Sequence, residues 1–403
     1  MKKKEENMSA YLDYQAAKPV DPRVFETMKP FFTRDFGNPS SLHNYGYKAT
    51  NSLEEARLKI AEFINAPSPE NIIFTSGATE SNNLGVIGAS LRNQRKGNHI
   101  IISEIEHISI LNIGKYLEKQ GFRVSRVPID RFGTINISKL ERLITDETTL
   151  ISISTASNEI GTLQPVEEIA ELAQKKNIWF HSDAVASEST IPIDVQKVPF
   201  DLLTLSSNDI YGPRGVGALY LKKGVRVNPI IIGGGQEKGI RSGSENMPGI
   251  IGFAKAAEIM KVEINEEAAR LKSLRDKLIR EVLKIPKSYL NGHPEKRTPH
   301  NANFRFDYIE GESLLLSLKD EKLEVATGSA CSSKTLEPSH TLISCGLLHE
   351  EAHGSLLLTL GRFTEEKDID KILEVLPGIV RRLRILSPLT PSDLLKKLQK
   401  EEN

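Results

Sequence analysis

The residues of this 403-residue chain best able to do chemistry stand where short apolar runs end. After residues 72–74 comes Thr75-Ser76-Gly77-Ala78-Thr79-Glu80. Small residues opening a helix there would offer backbone N–H groups and the Thr79 hydroxyl to an anion such as phosphate. They would serve equally as an ordinary N-cap. After residues 178–180 comes His181-Ser182-Asp183-Ala184. A carboxylate at the end of an apolar strand needs a partner for its lost hydration, and either a protonated heterocyclic nitrogen or a salt bridge would do. Glu106-His107 and Asn158 follow other runs in the same way. The imidazole could stack on a flat ring or cap a turn. Cys331, within Thr327-Gly328-Ser329-Ala330-Cys331-Ser332-Ser333, sits in a polar loop that suits a reactive thiol. Cys345 lies in an apolar helical stretch and reads as a packing residue.

The elements that must position these groups follow from periodicity. Near-continuous apolar runs at 71–75, 99–103, 122–128, 150–154, 178–182, 202–205 and 216–221 read as strands buried on both faces. Helical patterns such as 165–176 lie between some of them, which predicts an α/β domain with a mostly parallel sheet. Ligands of such sheets bind outside the carboxyl ends of the strands. Ile232-Gly233-Gly234-Gly235-Gln236, with Arg241-Ser242-Gly243-Ser244 behind it, reads as a loop of unusual backbone angles. A long charged helix over 249–283 would leave the sheet domain for a smaller α+β domain, with strands at 302–306, 323–326 and 355–360 and helices at 312–319 and 365–382. The predicted boundaries are 18–260 for the large domain, 1–17 with 261–390 for the small one, and 391–403 for a tail. In that tail Leu394, Leu395 and Leu398 read first as a frayed helix and second as a docking element.

Composition excludes several classes. Lys+Arg and Asp+Glu each number 53, so no basic excess points to nucleic acid. No apolar run approaches the roughly 20 residues of a membrane span, and the charged N-terminus lacks a signal-peptide core. Two cysteines make a disulfide framework implausible and fit a reducing, cytoplasmic setting.

Taken together, these segments resemble the NifS/IscS cysteine desulfurases, pyridoxal-phosphate (PLP) enzymes of the aspartate-aminotransferase fold (fold type I). Blocks in family order run from Tyr11-Leu12-Asp13-Tyr14 through Phe36-Gly37-Asn38-Pro39-Ser40-Ser41, Asn158-Glu159-Ile160-Gly161-Thr162 and Ile191-Pro192-Ile193-Asp194-Val195 to Gly328-Ser329-Ala330-Cys331 and Leu386-Ser387-Pro388-Leu389. The resemblance implies a seven-stranded mostly parallel sheet plus a small α+β domain. Ala78, Thr79 and Ser206 would bind the PLP phosphate, His107 would stack on the pyridine, and Asn158 would bond its phenolic oxygen. Asp183 would keep the ring nitrogen protonated so that the ring acts as an electron sink. Ser244 would reach the phosphate of a second subunit, which implies a homodimer. Cys331 would attack the sulfur of L-cysteine, carry it as a persulfide and pass it to an iron–sulfur scaffold protein of the IscU type.

Four positions depart from the family pattern. Its Ser-Ala-His-Lys-Ile-Tyr-Gly-Pro block reads Ser206-Ser207-Asn208-Asp209-Ile210-Tyr211-Gly212-Pro213, so Asp209 stands for the Schiff-base lysine and Asn208 for a phosphate-binding histidine. No lysine occurs between Lys197 and Lys222. Ala186 replaces a glutamine, and Leu357 replaces the arginine that holds the substrate carboxylate. An aspartate cannot form an imine, so PLP would be held non-covalently and turnover would be impaired. Loss of a general acid–base typically costs 10²–10⁴-fold. Two functions compete: an impaired desulfurase, and a catalytically degenerate scaffold in which Cys331 accepts sulfur or ligates a [2Fe-2S] cluster shared with a partner.

Overall fold

The computed structural model describes residues 9–327 and 338–400. Cys331 therefore lies outside the described residues. Twelve strands are present among them: β1 (Ala10–Tyr11), β2 (Ile72–Thr75), β3 (His99–Ser103), β4 (Arg123–Val127), β5 (Thr148–Ser152), β6 (Trp179–Asp183), β7 (Leu202–Ser206), β8 (Gly217–Leu221), β9 (Ser288–Asn291), β10 (Asn301–Phe306), β11 (Leu323–Glu324) and β12 (Ser355–Thr359).

Seven strands make the main sheet in the order β2-β8-β7-β6-β5-β3-β4. Each of β2, β3, β5, β7 and β8 is buried along its whole length, as runs such as Ile100-Ile101-Ile102 require when helices cover both faces. One apolar cluster, around Ile101, Ile151, Phe180 and Leu203, fills one side. A second, around Ile100, Ile102, Leu150 and Leu219, fills the other. The pairs β4–β3, β3–β5, β5–β6 and β6–β7 are parallel, whereas β8 runs antiparallel to both β7 and β2. Parallel pairing brings the carboxyl ends of β3, β5, β6 and β7 to one edge. Glu106, His107, Asp183 and Asp209 all follow from those ends.

The helix Met247–Val282 belongs to two cores. Ile250, Phe253 and Met260 pack with the main sheet, and Leu271, Leu278 and Val282 pack under the smaller one. That smaller sheet has the order β12-β10-β9, antiparallel throughout. The N-terminal segment joins it: β1 pairs in parallel with β11, and Asp13 bridges to Thr359. The tail departs from its first reading. Residues Ser392–Lys400 form a helix whose Leu398 is buried, and the Arg381 guanidinium donates two hydrogen bonds to the Leu398 carbonyl. The leucines docked rather than frayed because they share one face of that helix.

A pocket at the carboxyl edge of the sheet

The carboxyl ends of the parallel strands open into a pocket of about 400 Å³ lined from both sheets, including Ala78, Thr79, His107, Asn158, Asp183 and Asp209. Ala186, Asn208 and Leu357 also line it. Nine of the positions singled out in the sequence therefore meet here. Ser206 does not line it. The backbone N–H of Ser206 donates to Glu188 (3.0 Å), and its side chain hydrogen-bonds to the Asp209 carboxyl. Ser244 stands elsewhere, in a separate crevice with Phe36, Gly37 and Asn38.

The turn after β2 is built for an approaching group. Gly77 has φ 144°, a left-handed-side angle open to glycine, and a Cβ there would meet nothing within 4 Å. Gly77 caps the helix that starts at Ala78 without any side-chain cap bond, so the N-cap alternative is not what the residues form. Ser76 N–H is instead taken by Glu80, itself paired with Arg241 at 2.8 Å.

Among the described residues, Asp183 has no cation within hydrogen-bonding distance. Its oxygens accept from Asn82 Nδ2 at 2.7 Å and from Val185 N–H at 3.0 Å, and burial raises its pKa. The salt-bridge alternative is thus not realised among the described residues. The carboxyl faces the pocket across from His107, whose Nδ1 lies 2.8 Å from Ser109 Oγ and accepts from Ser109 N–H at 3.2 Å. His107 does cap the helix Ile108–Lys119, and it lines the pocket while doing so. A buried carboxyl with hydrogen-bond donors, an imidazole beside it and an open helix start fit the ring and phosphate of PLP. Among the described residues that line the pocket there is no lysine, and the family's lysine position carries Asp209, which cannot form an imine.

The pocket is rich in acids, and this was only partly visible in the sequence. Burial pushes Glu106 up to about 8, against hydrogen bonds from the Ser154 hydroxyl and N–H. Burial likewise lifts Glu159 to about 7 and Asp13 to about 6. Asp209 is also raised by burial, with Lys18 pulling the other way. The carboxyls of Glu106, Glu159 and Asp13, shifted this far, exchange protons near neutral pH.

Leu357 N–H donates to Ala326 at 2.8 Å, and its side chain takes the wall where a carboxylate-binding arginine is expected. The surviving Arg362 cannot replace it. Its guanidinium is paired with Asp21 and with Glu263 and lies over the Tyr211 ring, 4.6 Å from the centroid.

Two residues escaped the sequence reading. Lys18 is fully buried; its Nζ donates to the Asp209 carbonyl (2.6 Å) and to Ser189 Oγ (3.0 Å). The signal was a single charge within Gln15-Ala16-Ala17-Lys18-Pro19-Val20. His340 lines the pocket with its Nε2 3.2 Å from the Glu106 carbonyl, and only the fold could have brought it there. Cys345 is buried as expected, with its thiol pushed up to about 12.

Comparison with known proteins agrees with this geometry. The aminotransferase class-V family model matches residues 10–372. A protein named cysteine desulfurase IscS 1, from Archaeoglobus fulgidus, is 59% identical over 94% of this chain and 99% of its own. A cysteine desulfurase IscS from Methanosarcina thermophila is 49% identical over 96% of each chain. The solved structure of a NifS-like protein superposes with a TM-score of 0.88 at 35% identity, covering 93% of this chain and all of that one. The chain belongs to the class-V aminotransferase family, among its cysteine desulfurases.

Proposed function

We propose that the protein supplies sulfur for iron–sulfur cluster assembly as a PLP-dependent cysteine desulfurase whose turnover is impaired by its altered pocket floor. In the net reaction the Cβ–S bond of L-cysteine breaks, the Cys331 thiol gains the sulfur as a persulfide, and L-alanine leaves. The observation that carries the reading is the union, in one pocket, of Asp183, His107 and the open helix start at Ala78 with Asp209 and Leu357. The family relationship supplies the reaction.

PLP, when bound, supplies an electron sink for the bonds at the substrate Cα. Ala78 N–H and Thr79 would hold its phosphate, His107 its ring face, Asn158 its phenolic oxygen and Asp183 its ring nitrogen. Asp183 has the geometry to do so because two donors already orient its carboxyl. Asp209 lines the pocket where the family has an amine, and burial raises its pKa against the pull of Lys18. A carboxyl can move a proton but cannot form a covalent link to an aldehyde. Leu357 offers no charge to a substrate carboxylate. A homodimer would place Ser244 and its crevice against the partner's phosphate site, and an IscU-type scaffold would take the persulfide sulfur.

The test is sulfide release from L-cysteine by the protein with added PLP, compared with Cys331→Ala. Slow release that requires Cys331 supports the enzyme. Release no faster than free PLP alone would sink it. The second reading, favoured by Asp209 and Leu357 alone, is a scaffold in which Cys331 accepts sulfur or ligates a shared [2Fe-2S] cluster. It predicts a partner complex that needs Cys331 and no sulfide.

A further inference from the structure

Lys18 does not line the pocket but lies beneath it, behind Asp209, and it comes from the N-terminal segment, 191 residues before the position where the family carries its amine. Its side chain is 2% exposed and that of Asp209 9%, with Nζ 4.0 Å from Asp209 Oδ1. Beyond Asp209, its other polar partner is Ser189 Oγ, and the Tyr211 ring centroid lies 5.6 Å away. Two of the ammonium's three donors are satisfied, and among the described residues Asp209 is the acid within ion-pair distance of it. We propose that Lys18 is a positioning residue, which holds the Asp209 carboxyl charged and turned toward the pocket, so that the two residues form one functional unit. This rests on the reading of the pocket as a PLP site only for its consequence on cofactor binding; the pairing itself belongs to the protein alone.

The charged neighbours define what should follow. Asp209 is faced by Lys18 from the N-terminal segment, by Glu188 from the turn after β6 and by Asp183 from the end of β6. Lys18 is faced by Asp209, by Glu188 and by His300, whose Nδ1 lies 3.2 Å from Thr190 Oγ1. Removing Lys18 leaves Asp209 and Glu188 without the cation that faces them both, so the folded protein binds protons more tightly than the unfolded chain. Stability must then fall as pH rises. Removing the charge of Asp209 has the opposite sign: the buried ammonium loses its main counter-charge, and stability falls as pH drops.

The experiment is thermal melting of the PLP-free protein from pH 6 to 9 for wild type, Lys18→Met, Asp209→Asn and the double variant, with PLP titrations on the same four proteins. Opposite pH slopes in the two single variants, both relieved in the double, are the expected result. Lys18→Met should also weaken PLP binding about tenfold at the alkaline end and less at the acid end, a shift of one pKa unit in the facing carboxyl being worth that factor; a pair that only props the fold would move the melts and leave that profile unchanged. If Lys18→Met does not fold, recovery of folding in the double variant is itself the expected coupling. Slopes of the same sign, or additive losses, overturn the proposal. So does borohydride fixing PLP onto Lys18, since Lys18 would then touch the cofactor itself. Wild type that takes up no PLP while the melts show opposite slopes would sink the cofactor reading and leave the pair standing.

Discussion

Replacing Asp183 by asparagine separates the cofactor reading from the enzyme reading. The side chain keeps its shape, and its Oδ1 can still accept from Val185 N–H, now 3.0 Å away. The amide NH₂ then faces Asn82 Nδ2, at present a 2.7 Å donor to Oδ2, so one hydrogen bond is lost at about 1 kcal/mol. Against that, the variant removes a fully buried carboxyl whose pKa is raised by burial. A group of that kind favours the fold below its unfolded pKa and disfavours it as pH rises through the folded value. Asp183→Asn should therefore lose less stability than wild type as pH rises, read from thermal melts of both proteins across pH. With PLP the effect is one-sided. A charge-assisted bond from a pyridinium nitrogen is worth about 1.5–3 kcal/mol, so the dissociation constant should rise about ten- to a hundredfold. The assay is titration of the apo protein with PLP, followed by absorbance, which needs no turnover. An affinity unchanged within twofold would refute the placement of the ring against Asp183, and with it the use of this pocket for PLP.

Three further outcomes test the rest. Leu357→Arg returns a guanidinium to the wall beside Ala326 and should lower the KM for L-cysteine about tenfold or more with a smaller change in kcat; a lower kcat at unchanged KM would show that the carboxylate does not lie there. The buried pair of Arg57 with Glu237, at 2.7 and 2.8 Å, also ties Glu237 to the Phe74 N–H at 2.8 Å and so anchors β2 ahead of the Gly77 turn. Glu237→Gln should cost about 3–5 kcal/mol in denaturant melts, because it strands a buried guanidinium, and a loss below 1 kcal/mol would contradict that burial. Cys345, with its thiol raised to about 12, should resist a thiol reagent at pH 8 in the folded protein and react only on unfolding, whereas rapid native labelling at that position would contradict its packing.

What the sequence disclosed follows from how local each signal is. The strands of the main sheet were legible because burial on both faces makes them unbroken runs such as Ile100-Ile101-Ile102, and their C-terminal ends then located Asp183 and His107 without any contact being known. The antiparallel placement of β8 was not legible, since Ala218-Leu219-Tyr220 is equally apolar in either direction. The tail was misread because Leu398 gains its partner from Arg381, in another helix. Asp209 and Leu357 were legible only as departures from the family blocks. Their neighbour Lys18 lay just past the Tyr11–Tyr14 block and pairs across 191 residues, a separation at which no periodicity speaks.

The acids around the pocket decide how a lysine could be exchanged for an aspartate at all. Turning a cation into an anion beside a bound phosphate would be severely unfavourable if Asp13, Glu106, Glu159, Asp183 and Glu188 were all ionised, because like charges in a buried site interact through a low dielectric. They need not be. Burial raises the pKa of each of them, to about 6, 8 and 7 for Asp13, Glu106 and Glu159, so part of that set carries protons at neutral pH. Lys18 supplies the remaining positive charge directly behind Asp209. Burial of the surrounding acids and the charge of Lys18 therefore both work against a build-up of negative charge around Asp209. The charge that the family holds on a covalently linked amine is here divided between a residue facing the pocket and one buried beneath it, which is why Asp209 and Lys18 should be altered together before either is assigned a cost.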